Sequence, residues 1–152
     1  MSIELISAYK QYRFLPAGYF SYDAADEVIN YDPVRLEQRH GKISLLHEIS
    51  HCELGHFHYR YDLELLMMEI AAWHYTKQLA DKHGVELDDG YVQDCIDSYD
   101  KWVDQRGTCP KCQNFCIEQN ENTFCCFICN AKWTVSSEPQ KRVIRKLIEA
   151  TS

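Results

Sequence analysis

The sequence predicts an α+β fold, in which a mostly helical domain with a small β-sheet precedes a small cysteine-rich β-module and a C-terminal helix. Three observations support this prediction. Helical periodicity dominates residues 43–105, a short β-prone run precedes it at residues 27–31, and six of the eight cysteines lie between Cys109 and Cys129. A chain of 152 residues can hold a domain of about 100 residues and a small appendage stabilised by other means. The predicted domains are the helical domain at residues 1–106, the cysteine-rich β-module at residues 107–135 and the C-terminal helix at residues 136–152.

The first two elements are expected to be a helix and a strand. Apolar side chains recur at roughly helical spacing from Ile3 to Phe14, which predicts a helix that ends before Pro16. The β-prone run at residues 27–31 is followed by an Asp-Pro pair, so it predicts a strand followed by a turn or the start of a helix. Such a strand can serve as a sheet edge to which an extended peptide adds, and an ordinary sheet strand is the alternative.

Three longer helices follow, and a glycine is placed to end each of them. These predicted helices cover residues 43–54, 62–82 and 88–105, with Gly55, Gly84 and Gly107 beyond their ends. Asp62 is a suitable N-cap for the second helix. A last helix is predicted within residues 136–152, where a basic segment carries a repeating apolar pattern at Val143, Ile144, Leu147 and Ile148.

The net charge of −7 is unevenly distributed, with −10 on residues 1–100 and +3 on residues 101–152. An acidic body does not suit a nucleic acid, so only a weak contact through the C-terminal region is expected. Residues 1–10 include Glu4 and lack the apolar run of a signal peptide, and no stretch reaches the length of a membrane span. These features predict a cytoplasmic protein with no membrane partner.

The run HEISH at residues 47–51 is the motif around which the helical domain is organised. On a helix, His47 and His51 are four residues or about 40° apart, so both imidazoles leave the same face and suit two ligands of one zinc ion. Glu48 lies beside the pair, where it can act on a water instead of binding the metal. The motif therefore predicts a catalytic zinc site with Glu48 as its general base.

Glu69 is the predicted third ligand of this zinc. It is flanked at three and four positions on either side by apolar residues, namely Leu65, Leu66, Ala72 and Trp73. A carboxylate on so apolar a helix face must be paired, protonated or metal-bound, because an unpaired buried charge is very costly. Glu64 is the alternative, but its place in the first turn is already explained by the helix dipole.

Two Cys-x-x-Cys pairs predict a second zinc site of a different kind. The predicted ligands are Cys109, Cys112, Cys126 and Cys129. Four thiolates leave no open position for a water, so this zinc is expected to be structural. In a reducing compartment such pairs are metal ligands more readily than disulfides. Cys125 adjoins Cys126 and can substitute for it, but the spacing favours Cys126, and the role of Cys116 stays open.

Several residues near the motif are further candidates for a direct role. His56 and His58 fall in the loop after the motif helix, where each can reach the metal or a substrate carbonyl, although such loop histidines are more often solvated or packed. His58, His74 and a tyrosine stay open as the donor that stabilises the oxyanion, whereas Tyr75 is interpreted as a core aromatic. Cys52 is interpreted as a small core residue and not as a nucleophile, because the neighbouring histidine is committed to metal.

The run HEISHCELGH at residues 47–56 resembles the ImmA/IrrE family of metallopeptidases, whose motif often continues as HExxHxxLGH. The later Glu69, Ala72 and Tyr75 are similar to the family's ExxAxxFA helix, with tyrosine in place of phenylalanine. The resemblance covers about a third of the chain. The chain departs from the family at Trp73, where asparagine is usual. It also carries a zinc ribbon, the cysteine-rich module at residues 107–135, which the compact members generally lack.

This resemblance implies a minimal zincin-like fold in which His47, His51 and Glu69 bind the catalytic zinc and Glu48 is the general base. It also implies a prokaryotic cell or a phage-infected host, where several members cut a helix-turn-helix repressor. The predicted function is therefore a zinc-dependent endopeptidase that cleaves a cytosolic protein, with such a repressor as the candidate substrate.

Two alternative functions are open at this point. The first is a SprT-like protease, which resembles this chain in joining HExxH to a zinc ribbon and acts on proteins attached to DNA. Its third histidine is expected where this chain has Leu65 and Leu66, which argues against it. The second is a non-catalytic interaction module, in which the ribbon and the basic tail bind a partner. Two zinc ions per chain favour the enzyme, and one favours the module.

Overall fold

The computed structural model describes residues 2–137 and 142–149 and has the α+β fold that the sequence predicts. Its helices are α1 (Ser2–Ser7), α2 (Arg39–Glu53), α3 (Asp62–His83) and α4 (Asp89–Gly107), with a short 3-10 helix at Arg35–Glu37. Its strands are β1 (Arg13–Pro16), β2 (Ser21–Asp23), β3 (Val28–Tyr31), β4 (Glu118–Asn120), β5 (Thr123–Cys125), β6 (Lys132–Val135) and β7 (Arg145–Leu147).

The chain forms two compact units, and each is made of two segments. The first unit contains Met1–His58 and Met68–Val92, and the second contains Tyr59–Met67 and Gln93–Ser152. Helices α3 and α4 therefore contribute residues to both units. None of the helices in the described part of the chain combines the length and the apolar character that crossing a membrane requires.

The sheet of the first unit has the strand order β1-β3-β2. Strand β3, which was predicted at residues 27–31, pairs in parallel with β1 and antiparallel with β2. Because both of its sides are paired, β3 is an ordinary sheet strand, one of the two predicted possibilities, and the other, an edge for an extended peptide, is wrong. The edges of this sheet are β1 and β2.

The predicted first helix is much shorter than its apolar pattern indicated, because α1 ends at Ser7. The segment Arg13–Pro16 is instead strand β1, in register with Val28–Tyr31. Pairing with a neighbouring strand outweighs a weak helical periodicity, since the pattern of a short segment does not include its partners.

Helix α2 begins four residues before its predicted start and lies against the short 3-10 helix. A Cβ at Gly41 would come within 1.8 Å of the Arg35 carbonyl oxygen, so only glycine allows this close approach. The face that α2 buries includes Leu45, Leu46 and Ile49, none of which is exposed to solvent. These residues form the core of the first unit with Leu5, Tyr9, Ile29, Leu36, Leu79 and Ala80.

The ends of α2 and α3 agree with their predicted glycine caps. Gly55 and Gly84 both have positive φ, at 70° and 65°, which is the conformation that ends a helix at little cost when the residue is glycine. Helix α3 begins at Asp62, as predicted. The Asp62 carboxylate, which was expected to cap this helix, accepts a hydrogen bond from Arg106 at 2.8 Å.

The second unit contains an antiparallel sheet with the order β4-β5-β6-β7. Its core includes Phe124 and Trp133, whose rings stack with centroids 5.4 Å apart. The prediction of a C-terminal helix is wrong for the described residues 142–149, because Arg145–Leu147 pairs with Trp133–Val135 as strand β7. Periodicity alone does not separate a short strand from a helix. The rest of that predicted helix, at residues 138–141 and 150–152, lies outside the described residues.

Arg106 is a fully buried cation that connects several segments of the second unit. Its Nε donates to the Asp62 carboxylate at 2.8 Å, one Nη donates to the Asn122 side chain at 2.7 Å and the other to the Ser136 carbonyl. Its guanidinium carbon lies 4.4 Å from the centre of the Trp102 ring. Such a residue must be matched on all sides, because a buried charge without partners is costly.

Replacing Arg106 by methionine should lower the free energy of unfolding by about 3–5 kcal/mol, since the buried Asp62 carboxylate would lose its charged partner. Chemical denaturation followed by tryptophan fluorescence measures this loss. Lys101→Met is the matched control, because Lys101 is exposed on the same helix, and a change within about 0.5 kcal/mol is expected there. A similar loss in both variants would contradict the role of the Arg106–Asp62 pair.

Candidate metal centres

The structure brings His47, His51 and Glu69 together in one buried cluster. The Glu69 carboxylate oxygens lie 3.1 Å from Nε2 of His47 and 3.0 Å from Nε2 of His51, and the two Nε2 atoms are 3.1 Å apart. The exposed fractions of the Glu69, His47 and His51 side chains are 7%, 10% and 12%. The predicted residues therefore present three donor atoms to one point.

Helix geometry explains how the cluster forms. The two histidines are four residues apart on α2, so their imidazoles project from successive turns of one face. Glu69 is on α3, with the buried Ala72 and Trp73 three and four residues after it. Its carboxylate is thus largely shielded from bulk water, and its hydrogen-bond partners are the two histidines of α2.

A cation is the simplest way to satisfy all three groups. If both imidazoles donated an Nε2 proton to Glu69, two N–H groups would face each other at 3.1 Å, which is repulsive. Two nitrogen ligands about 2.0–2.1 Å from one ion at a tetrahedral angle lie about 3.3 Å apart. The observed separations are close to this value, so the three donors can hold a metal ion.

The electrostatic environment of the cluster keeps Glu69 ionised. Burial raises the pKa of Glu69, but hydrogen bonds and the charges of His47 and His51 outweigh burial and lower the pKa to about 2. The pKa of His51 is raised. Burial lowers this pKa, but the hydrogen bond with Glu69 and the negative charge of Glu69 together raise it more. The Glu69 carboxylate therefore stays negatively charged and can act as a ligand for a cation.

Glu48 lies beside this cluster and is not one of its three donors. Burial raises the pKa of Glu48, and the charges of His47 and His51 oppose that rise. The backbone of Tyr22 on β2 also opposes the rise, so this strand lies near the Glu48 carboxylate. The pKa of Glu48 is therefore above the ordinary value, as suits a proton acceptor.

Trp73 supports His47 by stacking. The two rings lie with their centroids 4.0 Å apart and their planes 22° from parallel. His47 Nδ1 and the Trp73 indole nitrogen are both buried without a hydrogen-bond partner in the described residues. An aromatic contact therefore fixes the orientation of His47, instead of the hydrogen bond from Nδ1 that is usual for a metal-binding histidine.

His56 has a contact that the sequence left undecided. Its Nδ1 lies 2.9 Å from Nδ1 of His51. When Nε2 of His51 directs its lone pair at a metal, Nδ1 of His51 carries the proton and donates a hydrogen bond to Nδ1 of His56. His56 thus contacts the metal cluster indirectly, by orienting one of the predicted ligands.

The remaining predicted candidates are not among the donors of the cluster. Glu64 accepts a hydrogen bond from the Arg60 backbone at 3.1 Å, consistent with a role at the start of α3. His74 is exposed, and the Tyr75 hydroxyl donates to Glu53. His58 lines a separate cavity of about 710 Å³ between β2 and the loop after α2. None of these four is among the three donors of the buried cluster.

A second cavity, of about 270 Å³, opens directly onto His47 and Glu48. Its other lining residues are Tyr19, Phe20, Arg35, Ser44, Trp73 and Tyr91. The sequence did not single out Tyr19, Phe20, Arg35, Ser44 or Tyr91, because they come from separate elements with no shared motif. Only the fold brings them to the metal cluster.

The second cluster contains the four predicted cysteines of the ribbon, Cys109, Cys112, Cys126 and Cys129. The Sγ atoms of Cys109 and Cys129 are 3.5 Å apart, and those of Cys112 and Cys126 are 3.4 Å apart. Four ligands about 2.3 Å from one ion would have sulfur atoms about 3.8 Å apart. Slight expansion of this tetrad around an ion is therefore enough for a four-thiolate site.

The two Cys-x-x-Cys turns have the same backbone structure. In each, the first cysteine accepts from the amide four residues later at 3.0 Å and donates to the carbonyl five residues later at 2.8 Å. Gln113 and Asn130, which follow the second cysteine of each pair, have φ of 66° and 61°. Backbone amides of Cys129 and Ile128 lower the pKa of Cys126 to about 6. These turns direct thiols and N–H groups toward one point, as metal-binding turns do.

Cys125 and Cys116 lie outside the tetrad, so the structure agrees with the spacing argument that favours Cys126. Cys116 is buried and packs in the core of the ribbon. Burial raises the pKa of Cys116 to about 11, which keeps its thiol neutral. Cys52 is packed against the core of the first unit.

The two clusters differ in what their donor atoms can do. The cluster of two histidines and a glutamate offers three donors, so a four-coordinate ion there keeps one position for another ligand, whereas four thiols fill the coordination sphere. Comparison of the chain with protein-family models, curated proteins and solved structures finds no match.

Proposed function

We propose that this protein is a zinc-dependent endopeptidase that cleaves a cytosolic protein, with one catalytic and one structural zinc. The single observation that carries the proposal is the buried cluster of His47, His51 and Glu69, with Glu48 beside it and outside the donor set. Three protein donors with a free position and a nearby carboxylate are typical of catalytic zinc sites, whereas four thiolates are typical of structural ones.

The side chains of the first unit then have distinct roles in peptide hydrolysis. Zinc bound by the three donors would polarise a carbonyl oxygen and lower the pKa of a water to about 7. Glu48 accepts the proton of the attacking water and returns it to the departing amine. Trp73 and His56 keep the two imidazoles in position through the contacts described above.

Strand β2 provides a place for an extended substrate. It is an edge of its sheet, and the backbone of Tyr22 within it lies near the Glu48 carboxylate. A peptide that adds to β2 through backbone hydrogen bonds therefore runs beside the general base. The motif at residues 47–56 further favours an ImmA/IrrE-like peptidase, for which a helix-turn-helix repressor is the candidate substrate.

Metal content and cleavage together test the proposal. The full chain should bind two zinc ions, measured by atomic emission after zinc is added back, and should cut at least one member of a defined peptide library. Glu69→Ala should bind one zinc ion and lose cleavage, because Glu69 supplies one of three donors, whereas Glu64→Ala should bind two. One zinc ion per wild-type chain, without cleavage, would instead favour a non-catalytic ribbon module.

Replacing His56 by alanine should weaken zinc binding at the catalytic site about 10- to 100-fold, as is typical when the partner of a ligating histidine is lost. Competition with a chelating dye measures the affinity, and the ribbon site serves as an internal reference. His58→Ala is the matched control, because His58 is exposed and lines the separate cavity. Equal zinc affinities of His56→Ala and wild type would show that the contact with His51 has no effect on the metal.

A further inference from the structure

The cavity that opens onto Glu48 has the size of a subsite for one substrate side chain. Its volume of about 270 Å³ is below the range of about 300–1,000 Å³ that is typical of sites for drug-sized ligands. Because His47 and Glu48 form part of its wall, a group held here would lie next to the bond being cut. What the cavity binds therefore bears on which peptides are substrates.

Arg35 provides the cavity with a cation. Its guanidinium carbon lies 5.4 Å from the centre of the Phe20 ring, and such stacking restrains the planar group while its edges stay available. Among the described residues, its side chain has no ion pair with a carboxylate. Its N–H donors are thus free to bind a ligand in the cavity.

Arg35 is an exposed cation in a part of the chain, residues 1–100, whose net charge is −10. In the first unit Arg39 pairs with Glu86 at 3.5 Å and Lys77 with Asp89 at 2.8 Å, whereas Arg35, like Lys10 and Arg13, has no ion pair among the described residues. Glu48 also lines the cavity, but it forms no ion pair with Arg35 in the described residues. The positive charge at Arg35 is therefore not compensated by an ion pair.

We propose that Arg35 makes this cavity a carboxylate-binding subsite, so that the enzyme prefers substrates with a carboxylate next to the scissile bond. Guanidinium binds carboxylate through two parallel hydrogen bonds, and the aromatic walls at Tyr19 and Trp73 can pack against the aliphatic part of the ligand. The carboxylate can belong to an acidic side chain or to a free C-terminus. This inference rests on the proposed function, whose metal site places the substrate beside the cavity.

Matched zinc-chelating probes can test this preference by binding alone. The probes are hydroxamates that carry a glutamyl or a glutaminyl side chain, prepared with the side chain on either side of the chelating group, and a third pair that ends in a free carboxylate or its amide. Calorimetry on the zinc-loaded full chain measures their affinities. At least one acidic member should bind about 10- to 100-fold more tightly than its amide, and the pair that shows the difference identifies the source of the carboxylate.

Variants of Arg35 assign the preference to this residue. Arg35→Gln should remove it, Arg35→Glu should favour a lysyl hydroxamate, and the matched control Arg39→Gln should retain it. Equal binding of every acid and its amide by the wild type, failure of all probes to bind, or a preference that survives in Arg35→Gln would overturn the proposal. These probes bind zinc whether or not the chain cuts peptides. Failure of the proposed function is therefore detected by a separate measurement, in which the wild type shows no peptide cleavage that is lost in Glu48→Gln.

Discussion

Replacing Glu48 by glutamine should reduce peptide cleavage by about 10²- to 10⁴-fold while leaving both zinc ions bound. The loss is expected because a general base contributes about this factor to hydrolysis, and an amide of the same shape does not accept a proton. Zinc binding should persist because Glu48 is not among the three clustered donors. The measurements are kcat/KM on the peptide that the wild type cuts fastest, and zinc content by atomic emission.

Glu64→Gln is the matched control for this experiment. Glu64 is an exposed acid whose carboxylate contacts the Arg60 backbone, so its replacement should leave kcat/KM unchanged. If Glu48→Gln cleaved as fast as wild type, the assigned base would be wrong. If it also lost zinc, Glu48 would have to be a ligand and the division of roles within the cluster would need revision.

Replacing Cys129 by serine should remove the structural zinc and unfold the ribbon. Cys129 is exposed, so the substitution loses little packing, and its main effect is on the metal. Structural zinc contributes about 10–16 kcal/mol of apparent binding free energy to small domains at neutral pH, far more than the core of such a ribbon supplies. The expected result is one zinc ion per chain and red-shifted tryptophan fluorescence as the buried Trp133 becomes solvated.

Cys125→Ser controls for the loss of a thiol in the same strand region. Cys125 is partly buried and lies outside the tetrad, so this variant should keep two zinc ions and the fluorescence of the wild type. The opposite pattern, with zinc lost from Cys125→Ser and kept in Cys129→Ser, would show that the adjacent cysteines exchange roles.

The sequence was most informative about features that depend on local spacing. Helix α2 with its two histidines, the glycine at the end of each of the first two long helices, and the four cysteines of the ribbon all follow from residues close together in the chain. Glu69 was found by a different argument, the cost of burying an acid among apolar neighbours. That argument does not require knowing where the partners of Glu69 lie in the sequence, because it depends only on the residues that share its helix face.

The features that the sequence did not predict all depend on pairing between distant segments. Strand β1 was interpreted as helix because its partner Val28–Tyr31 is not visible in its own pattern, and β7 was interpreted as helix for the same reason. Arg35 has no motif around it, since the fold alone brings it to the wall of the cavity at Glu48. The same holds for His56, whose contact with His51 depends on the path of the loop after α2.

The interleaving of the two units along the chain has a consequence for evolution and for protein engineering. Because Tyr59–Met67 belongs to the second unit and Met68–Val92 to the first, no single cut in the gene separates one unit from the other. A truncation after Val92 would remove most of the second unit but leave the early residues of α3 without the rest of that unit. Unlike a finger appended by gene fusion, the second unit as a whole cannot be transplanted as one contiguous segment, and the two units are expected to be inherited together.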